Sequence, residues 1–154
     1  MSVSIRRSGR DEAETHFALQ RAASLAGLSH IFPPDEVSYP DDAVRERWRV
    51  FPGVVLLAEQ EGVAVGVAAT DACWLHGLYV VPGAWGTGVA RSLHDAALAA
   101  MPDCAEVKLW VLGENRRARR FYEKHGWRQN GETRVVEYPP SPLDVGYSFI
   151  REEP

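Results

Sequence analysis

Cysteine is scarce in this sequence, with two residues among 154. Cys73 and Cys104 are too few for a dense disulfide framework, and they lack the paired spacing of a zinc site. Small buried thiols are the usual state of such residues in a reducing compartment. We therefore expect both cysteines to be free and buried.

Long apolar runs are also missing. No stretch approaches the ~18 uninterrupted apolar residues that a membrane-spanning helix needs. The N-terminal residues MSVSIRRSGRDEAE are charged and lack the apolar core of a signal peptide. These absences predict a cytoplasmic protein without a membrane partner.

The chain has no excess of positive charge, because 17 Lys and Arg stand against 21 Asp and Glu, for a net charge of -4. A protein that binds the phosphate backbone of a nucleic acid over a large area needs a basic face. Nucleic acid is therefore not expected as a partner. What is present is the composition of a globular protein, with 45% hydrophobic and 25% charged residues. The length predicts one domain over residues 1–154.

Hydrophobic patterning predicts the element order β, α, α, β, β, β, α, β, α, β, β. The first half is expected to contain a strand at 2–7, a helix at 11–28, a proline-rich loop at 30–40, a helix at 41–50 capped by Asp41 or Asp42, and strands at 54–60, 63–70 and 73–81. The second half is expected to contain a helix from Val89, a strand at 107–112, a helix capped by Asn115 and ended by Gly126, and strands at 133–138 and 145–151. This order describes a mixed sheet with helices on its faces, an α/β fold.

A glycine-rich turn joins a strand to a helix in LYVVPGAWGTGVARSL. Gly86 and Gly88 permit positive φ and carry no Cβ, so the N–H groups from Gly86 to Ala90 can point into one concave site at a helix N-terminus. A phosphate would bind there. The segment lacks both GxxxxGK[ST] and the third glycine of a dinucleotide fingerprint. A purely structural connection would explain the same turn.

A second pattern lies in LWVLGENRRARRFYEKHGW. Asn115 begins a predicted helix, and Tyr122 follows seven residues later, close to two helical turns away on the same side. The two side chains can therefore face one groove. A helix cap and a half-buried core tyrosine would produce the same spacing.

Together the two patterns resemble the GCN5-related N-acetyltransferase (GNAT) superfamily. The matching residues are L-Y-V-x-P-x-x-W-G-x-G-V-A from Leu78 to Ala90 and N-x-x-A-x-x-F-Y-x-x-x-G-W from Asn115 to Trp127. The resemblance implies a single-domain GNAT fold, with a mixed, mostly antiparallel sheet of about six to seven strands, splayed central strands and helices on both faces. It implies acetyl-CoA as co-substrate, no metal, and direct transfer to a primary amine of a small molecule. Paired sheets are common in this superfamily, so a homodimer is a further expectation.

The resemblance also assigns roles to residues. The pyrophosphate of acetyl-CoA would lie on the amides from Gly86 to Ala90, and the Val80 N–H would polarise the thioester carbonyl. Asn115 would contact the pantetheine arm or a bound water, and Tyr122 would protonate the leaving thiolate. The expected donor-binding residues are Leu78, Tyr79, Val80, Val81, Trp85, Gly86, Thr87, Gly88, Val89, Ala90, Arg91, Asn115, Ala118 and Tyr122.

The sequence departs from the family pattern at the phosphate signature. Trp85 stands where Gln or Arg is usual, so one side-chain contact to the pyrophosphate is missing. Arg91, or the basic run at 116–120 on the next helix, could supply the positive charge. A run of this kind is otherwise a solvated helix face.

The general base departs from the pattern as well. Trp74 and Trp110 occupy the positions where members with a glutamate base carry it, and neither can accept a proton. His76 is the nearest titratable replacement on the strand, with an ordinary pKa near 6.5 that suits a proton acceptor at neutral pH. Glu114, Asp71 and a water chain are the alternatives.

The aromatic residues leave the acceptor open. Trp74, Trp85 and Trp110, with Phe32 and Tyr39, could line a pocket for an apolar or aromatic amine, although core tryptophans would give the same pattern. Two other functions stay open. One is an acetyl-CoA-binding regulatory domain without turnover, and the other is a transferase that acts on a protein N-terminus or lysine.

Overall fold

The computed structural model describes residues 2–151, so Met1 and residues 152–154 of the expected domain lie outside the described residues. Within this range the strands are β1 Ser4–Ser8, β2 Val54–Gln60, β3 Val63–Asp71, β4 Trp74–Val80, β5 Glu106–Leu112, β6 Arg128–Val135 and β7 Leu143–Ile150. The helices are α1 Ala13–Gly27, α2 Asp41–Arg49, α3 Val89–Ala99 and α4 Arg116–Lys124. None of these helices has the length and apolar character needed to cross a bilayer. The cytoplasmic location stays a prediction.

The seven strands form one sheet in the order β1-β2-β3-β4-β5-β7-β6. All neighbouring pairs are antiparallel except β4 and β5, which are parallel. The predicted element order and the mixed, mostly antiparallel sheet are therefore confirmed. The parallel pair lies in the middle of the sheet, so β4 is flanked by β3 on its outer side and β5 is flanked by β7.

Helices cover both faces of the sheet and define two apolar layers. On one face, α3 buries Leu93 against β3, where its side chain lies over Gly66. On the other face, α1 and α2 bury Phe17 and Trp48 against the central strands. Strand β2 is almost continuously buried because its side chains enter both layers. This arrangement holds β3 and β4 rigidly between the two helical layers.

The predicted final strand pair is displaced along the chain. The strands were expected at 133–138 and 145–151, whereas β6 spans Arg128–Val135 and β7 spans Leu143–Ile150. Strand β6 is an edge strand whose side chains are nearly all exposed and largely polar. It therefore carries no alternation of apolar and polar residues from which its start could be recognised.

The predicted side-chain cap of α2 is also wrong. Pro40 occupies the N-cap position, and no side chain caps the helix there. The carboxylate of Asp41 instead accepts a hydrogen bond from Arg21 Nε of α1 at 3.0 Å. Asp41 therefore connects α1 to α2 rather than ending its own helix.

The prediction of two free thiols is wrong, because Cys73 and Cys104 form a disulfide whose Cα atoms lie 5.7 Å apart. Cys73 lies in the turn between β3 and β4, and Cys104 precedes β5. The Lys108 N–H donates to the Cys73 carbonyl at 3.0 Å, beside the pairing of Trp74 with Lys108. The disulfide therefore joins β4 and β5 at the end where the two strands are paired.

We expect the disulfide to stabilise the fold, because it closes a loop with a sequence separation of 31 residues. In the chain-entropy description such a loop is worth roughly 3–4 kcal/mol. The double variant Cys73→Ser/Cys104→Ser should lose about this much free energy of unfolding in urea titrations. Wild type in dithiothreitol should match the variant, whose own stability should not respond to the reductant. Equal stability of the oxidised wild type and the variant would contradict the prediction.

Candidate active site

A cleft opens between β4 and β5, which pair only through Trp74 and Lys108. Residues of an antiparallel ladder alternate between facing their partner strand and facing away from it. Because the Val81 N–H donates to Val65 on the β3 side at 3.0 Å, Leu78 and Val80 direct their N–H and C=O groups away from β3. These backbone groups therefore face the cleft.

The β5 edge of the cleft has the same character. The Gly113 N–H donates to the Leu143 carbonyl at 2.8 Å, which continues the β5–β7 ladder. By the same alternation, Trp110 and Leu112 direct their backbone groups away from β7 and toward β4. Both edges of the cleft thus present peptide groups that no strand pairs. An extended ligand with amide groups can bind between them as an additional strand.

The glycine-rich turn lies where β4 leads into α3. Gly86 and Gly88 have φ of 76° and 88°, which favour glycine. Among the described residues, no acceptor bonds the N–H groups of 86–91, and the first bond of α3 runs from Ser92 to the Gly88 carbonyl at 3.1 Å. A Cβ on either glycine would meet open space. The turn therefore presents free N–H donors at a helix N-terminus. This arrangement attracts an anion.

Trp85 lies beside this turn, and its ring does not stack with those of Trp74 and Trp110. Its indole Nε1 donates to the Val80 carbonyl at 2.8 Å. The guanidinium carbon of Arg117 lies 3.4 Å from the centroid of the Trp85 ring. Trp85 therefore packs against the turn and α4, whereas Trp74 and Trp110 stack on each other.

Arg117 is the residue of the 116–120 run that the structure places against the turn. It has no carboxylate partner in the part of the chain that the structure describes, and burial lowers its pKa. Arg91, the other candidate, is exposed and lies 3.9 Å from the carboxylate of Asp95. Of the two predicted sources of positive charge, only Arg117 contacts Trp85.

Asn115 and Tyr122 lie on α4, as the spacing predicted. Asn115 Oδ1 accepts the Ala118 N–H at 3.2 Å, so the predicted helix cap is confirmed, and the side-chain amide NH₂ is left to donate. Tyr122 is 7% exposed, and its hydroxyl donates to no described residue. Burial raises the pKa of Tyr122 well above 10, and the nearby Tyr79 raises it further. The Tyr122 phenol is therefore protonated at neutral pH.

His76 and Asp71 lie toward the paired end of the cleft, whereas Glu114 follows β5 at its open end. His76 has no partner on β3, because the ladder shifts there by one residue. Its ring is exposed, packs against Phe51 at 5.4 Å and lies 3.3 Å from the Asp71 carbonyl through Nε2. Glu114 is exposed and lies 3.7 Å from Arg116. Among the described residues, no hydrogen bond links any of these groups to Tyr122.

The remaining aromatic residues form two groups. Trp74 and Trp110 stack with centroids 6.0 Å apart, near the paired end of the cleft. Phe32 instead contacts Tyr138, a residue of the β6–β7 loop that sequence reasoning missed, with centroids 6.4 Å apart. No local signal could have found this pair, because the two residues come from loops at opposite ends of the chain.

Tyr79 and Asp144 lie close enough to interact electrostatically, which the sequence did not predict. The Tyr79 ring lies on the α1/α2 face of the sheet, against Trp48 with centroids 6.4 Å apart. Asp144 of β7 is 6% exposed and pairs with Arg134 of β6 at 2.9 Å. Within residues 2–151, no group of three or more His, Cys, Asp or Glu side chains is placed to hold a metal ion.

Curated relatives that resemble the chain include two N-acetyltransferases from mycobacteria. An uncharacterised N-acetyltransferase of Mycobacterium bovis is 37% identical over 84 residues, which cover 50% of this chain and 54% of that protein, so the chain spans about half the length of this relative. A probable N-acetyltransferase of Mycobacterium tuberculosis is 30% identical over 129 residues, 77% of this chain and 70% of that protein.

Solved structures share the whole fold. Apo-form YjaB from Escherichia coli has a TM-score of 0.77 at 25% identity and covers 99% of this chain and 100% of its own. PaiA N-acetyltransferase from Thermoplasma acidophilum, solved in complex with coenzyme A, has a TM-score of 0.75 at 19% identity and covers 98% and 100%. At that identity the likeness shows the fold alone.

The profile of the acetyltransferase (GNAT) family matches residues 20–127, which is most of the chain and includes the cleft, the glycine-rich turn and α4. The predicted superfamily is therefore confirmed, and this chain belongs to the GNAT family of acetyltransferases.

Proposed function

We propose that this protein transfers the acetyl group of acetyl-CoA to the primary amine of a small molecule, by direct attack while both substrates are bound. The observation that carries the proposal is the continuity between the cleft and the glycine-rich turn. Unpaired backbone groups run from Leu78 and the Val80 N–H into the free N–H donors of 86–91. A long ligand with amides at one end and phosphates at the other matches this row. The coenzyme A complex of the structurally similar PaiA enzyme supports the same ligand class.

The donor would bind with its pyrophosphate on the turn and its pantetheine arm in the cleft. The N–H groups from Gly86 to Arg91 and the α3 N-terminus would hold the phosphate oxygens. The N–H of Val80, fixed in direction by the β3–β4 ladder, would donate to the thioester oxygen. A preorganised donor of this kind stabilises the negative charge that develops on that oxygen during attack.

Tyr122 would complete the reaction by donating a proton. The amine nitrogen forms a bond to the acetyl carbon, the carbon–sulfur bond breaks, and the phenol proton passes to the thiolate as it leaves. Burial keeps Tyr122 protonated at neutral pH, and the same surroundings raise the pKa of a thiolate formed there. The phenol is then regenerated by the proton that the amine loses through water.

Proton removal from the amine is proposed to use water rather than direct contact with His76. His76 lies four residues before Val80, which corresponds to about 13 Å along a strand. Its ring is exposed and held by Phe51 and the Asp71 carbonyl. At that distance His76 can accept a proton only through intervening water.

Arg117 is proposed to replace the charge that the family places at position 85. Its guanidinium stacks on the Trp85 indole at 3.4 Å, where the aromatic face stabilises a cation and fixes its position. It has no acidic partner in the described range of the chain. A phosphate of the bound donor would supply that partner.

The proton-donor role predicts that Tyr122→Phe lowers kcat by about 100-fold or more, because loss of a general acid typically costs that much. Thiol release from acetyl-CoA would be followed with a panel of amines, amino acids and short peptides, while calorimetry measures acetyl-CoA binding. Binding should be nearly unchanged. Tyr147→Phe is the matched control, because its hydroxyl is bound to Glu123 and Arg119 away from the cleft.

Three results would contradict parts of this proposal. Wild-type protein that binds acetyl-CoA without turnover of any amine would indicate a regulatory domain. Turnover of peptides alone would replace the small-molecule acceptor by a protein. Full activity of Tyr122→Phe would remove Tyr122 from the mechanism.

The phosphate role of Arg117 predicts that Arg117→Gln weakens acetyl-CoA binding by about tenfold, as expected for loss of one charge-assisted hydrogen bond. The kcat at saturating donor should be unchanged. S-acetylpantetheine, which lacks the phosphates, should be used equally well by the variant and the wild type. Lys124→Gln removes the same charge seven residues later on α4, about 10 Å away, and should leave binding unchanged. Equal losses in the two variants would show a general charge effect and contradict the assigned contact.

A further inference from the structure

His94 of α3 is a buried histidine that the proposed transfer reaction does not use. It is 2% exposed and lines a groove between α3 and the end of α4. Its ring centroid lies 5.1 Å from that of His125 and 5.7 Å from that of Phe121. Both ring nitrogens have hydrogen-bond partners. Nδ1 lies 2.9 Å from Oδ1 of Asp95, and Nε2 lies 2.9 Å from the indole Nε1 of Trp127.

The two hydrogen bonds determine where the proton of the His94 ring lies. An indole N–H can only donate, so Nε2 of His94 accepts from Trp127 and carries no proton. Nδ1 therefore carries the ring proton and donates it to Asp95. If Nε2 were protonated as well, two N–H groups would face each other. The hydrogen bond to Trp127 thus requires a neutral His94.

The charged groups around His94 come from both helices. Arg91 and Asp95 of α3 line the groove, together with Lys124 and His125 at the end of α4. Burial lowers the pKa of His94 and is the largest effect, the bond to Asp95 opposes this shift, and the nearby His125 lowers the pKa further. The pKa of His94 is therefore below its ordinary value, and the ring is neutral at neutral pH.

Trp127 contacts Tyr122 at two points. Gly126 follows α4 with φ of 96°, and the chain reversal at this residue lets the Trp127 N–H donate to the Tyr122 carbonyl at 3.0 Å. The fully buried Trp127 ring also lies edge-on to the Tyr122 ring, with centroids 5.7 Å apart. Because the Tyr122 hydroxyl donates to no described residue, the position of the phenol depends on the packing around its ring.

We propose that His94 and Trp127 are positioning residues for Tyr122, the proton donor of the proposed reaction. Nε2 of His94 holds the Trp127 indole, and the Trp127 ring holds the Tyr122 ring in place. Since α3 begins at the glycine-rich turn, the same contacts fix Tyr122 relative to the helix that would bind the donor phosphates. This inference rests on the proposed transferase function.

Replacement of His94 tests the inference through thiol release from acetyl-CoA, with the amine that wild type acetylates fastest. In His94→Leu the Trp127 N–H loses its acceptor, so kcat should fall about tenfold or more, because small displacements of a reacting group are costly. Acetyl-CoA binding, measured by calorimetry, should be unchanged, which also shows that the variant is folded. His94→Gln should keep most of kcat, because its side-chain carbonyl can accept the same hydrogen bond.

His16→Leu is the matched control. His16 is also buried and packs against a tryptophan, Trp48, but on the opposite face of the sheet. This variant should keep the wild-type kcat. A further comparison uses the Tyr122→Phe background, where His94→Leu should cause no additional loss of kcat because no phenol is left to position.

The pH profile of kcat separates positioning from a purely structural role. Wild type should lose kcat as the pH falls through the pKa of His94, below about 6.5, because the protonated ring cannot accept from Trp127. His94→Gln carries no titrating group there and should lack this step, whereas titration of the amine substrate affects both proteins. Circular dichroism at each pH would show that the fold is intact. This comparison remains decisive if His94→Leu does not fold.

Four results would overturn the positioning role and leave the transferase function standing. They are wild-type kcat in His94→Leu, equal losses in His94→Gln and His94→Leu, an equal loss in His16→Leu, and the same pH profile in wild type and His94→Gln. An equal fractional loss with and without the Tyr122 hydroxyl would show that His94 does not act through Tyr122. Full activity of Tyr122→Phe, or no turnover by wild type, would instead overturn the proposed function and this inference with it.

Discussion

The divergence of the two parallel strands β4 and β5 is the constraint on which the rest of the site depends. Each strand is fully paired on its outer side, β4 with β3 and β5 with β7, so neither can move to close the gap. At one end, the Trp74–Lys108 pair and the Cys73–Cys104 disulfide hold the strands together. At the other end, peptide groups face each other without partners. Unpaired peptide groups favour a ligand that can bond both edges, so the gap has the geometry to accept an extended molecule with amides.

Trp85 connects the cleft to the glycine-rich turn in a way that its size alone would not suggest. Its indole N–H bonds the Val80 carbonyl, while the Val80 N–H stays free and faces the cleft. The tryptophan thus fixes the peptide group that follows Val80. The Arg117 guanidinium stacks on the face of the same indole ring. The polar side chain usual at this position would contact phosphate directly. Under the proposed function, this contact is divided between Trp85, which orients the guanidinium, and Arg117 of α4, which would bind the phosphate.

The sequence predicts those parts of the structure that local patterns determine. The apolar runs of β2 to β5, the glycines of the turn and the cap at Asn115 each act within a few residues, and all lie where expected. Strand β6 could not be placed, because an exposed polar edge strand has no pattern. The Cys73–Cys104 bond and the Phe32–Tyr138 contact depend on how distant segments pack, which residue spacing does not encode. The stacking of Arg117 on Trp85 depends on packing in the same way.

This contrast also separates the two halves of the candidate site. The donor half consists mainly of backbone groups, whose positions follow from strand pairing and two glycines, so a short motif is enough to predict it. An acceptor site would instead depend on side chains from separate elements, and its charge would depend on which of these side chains are paired with each other. Arg134 of β6 pairs with Asp144 of β7, and Arg21 of α1 pairs with Asp41 of α2. Specificity for the acceptor therefore depends on charge pairing across separate elements, which the family pattern does not determine.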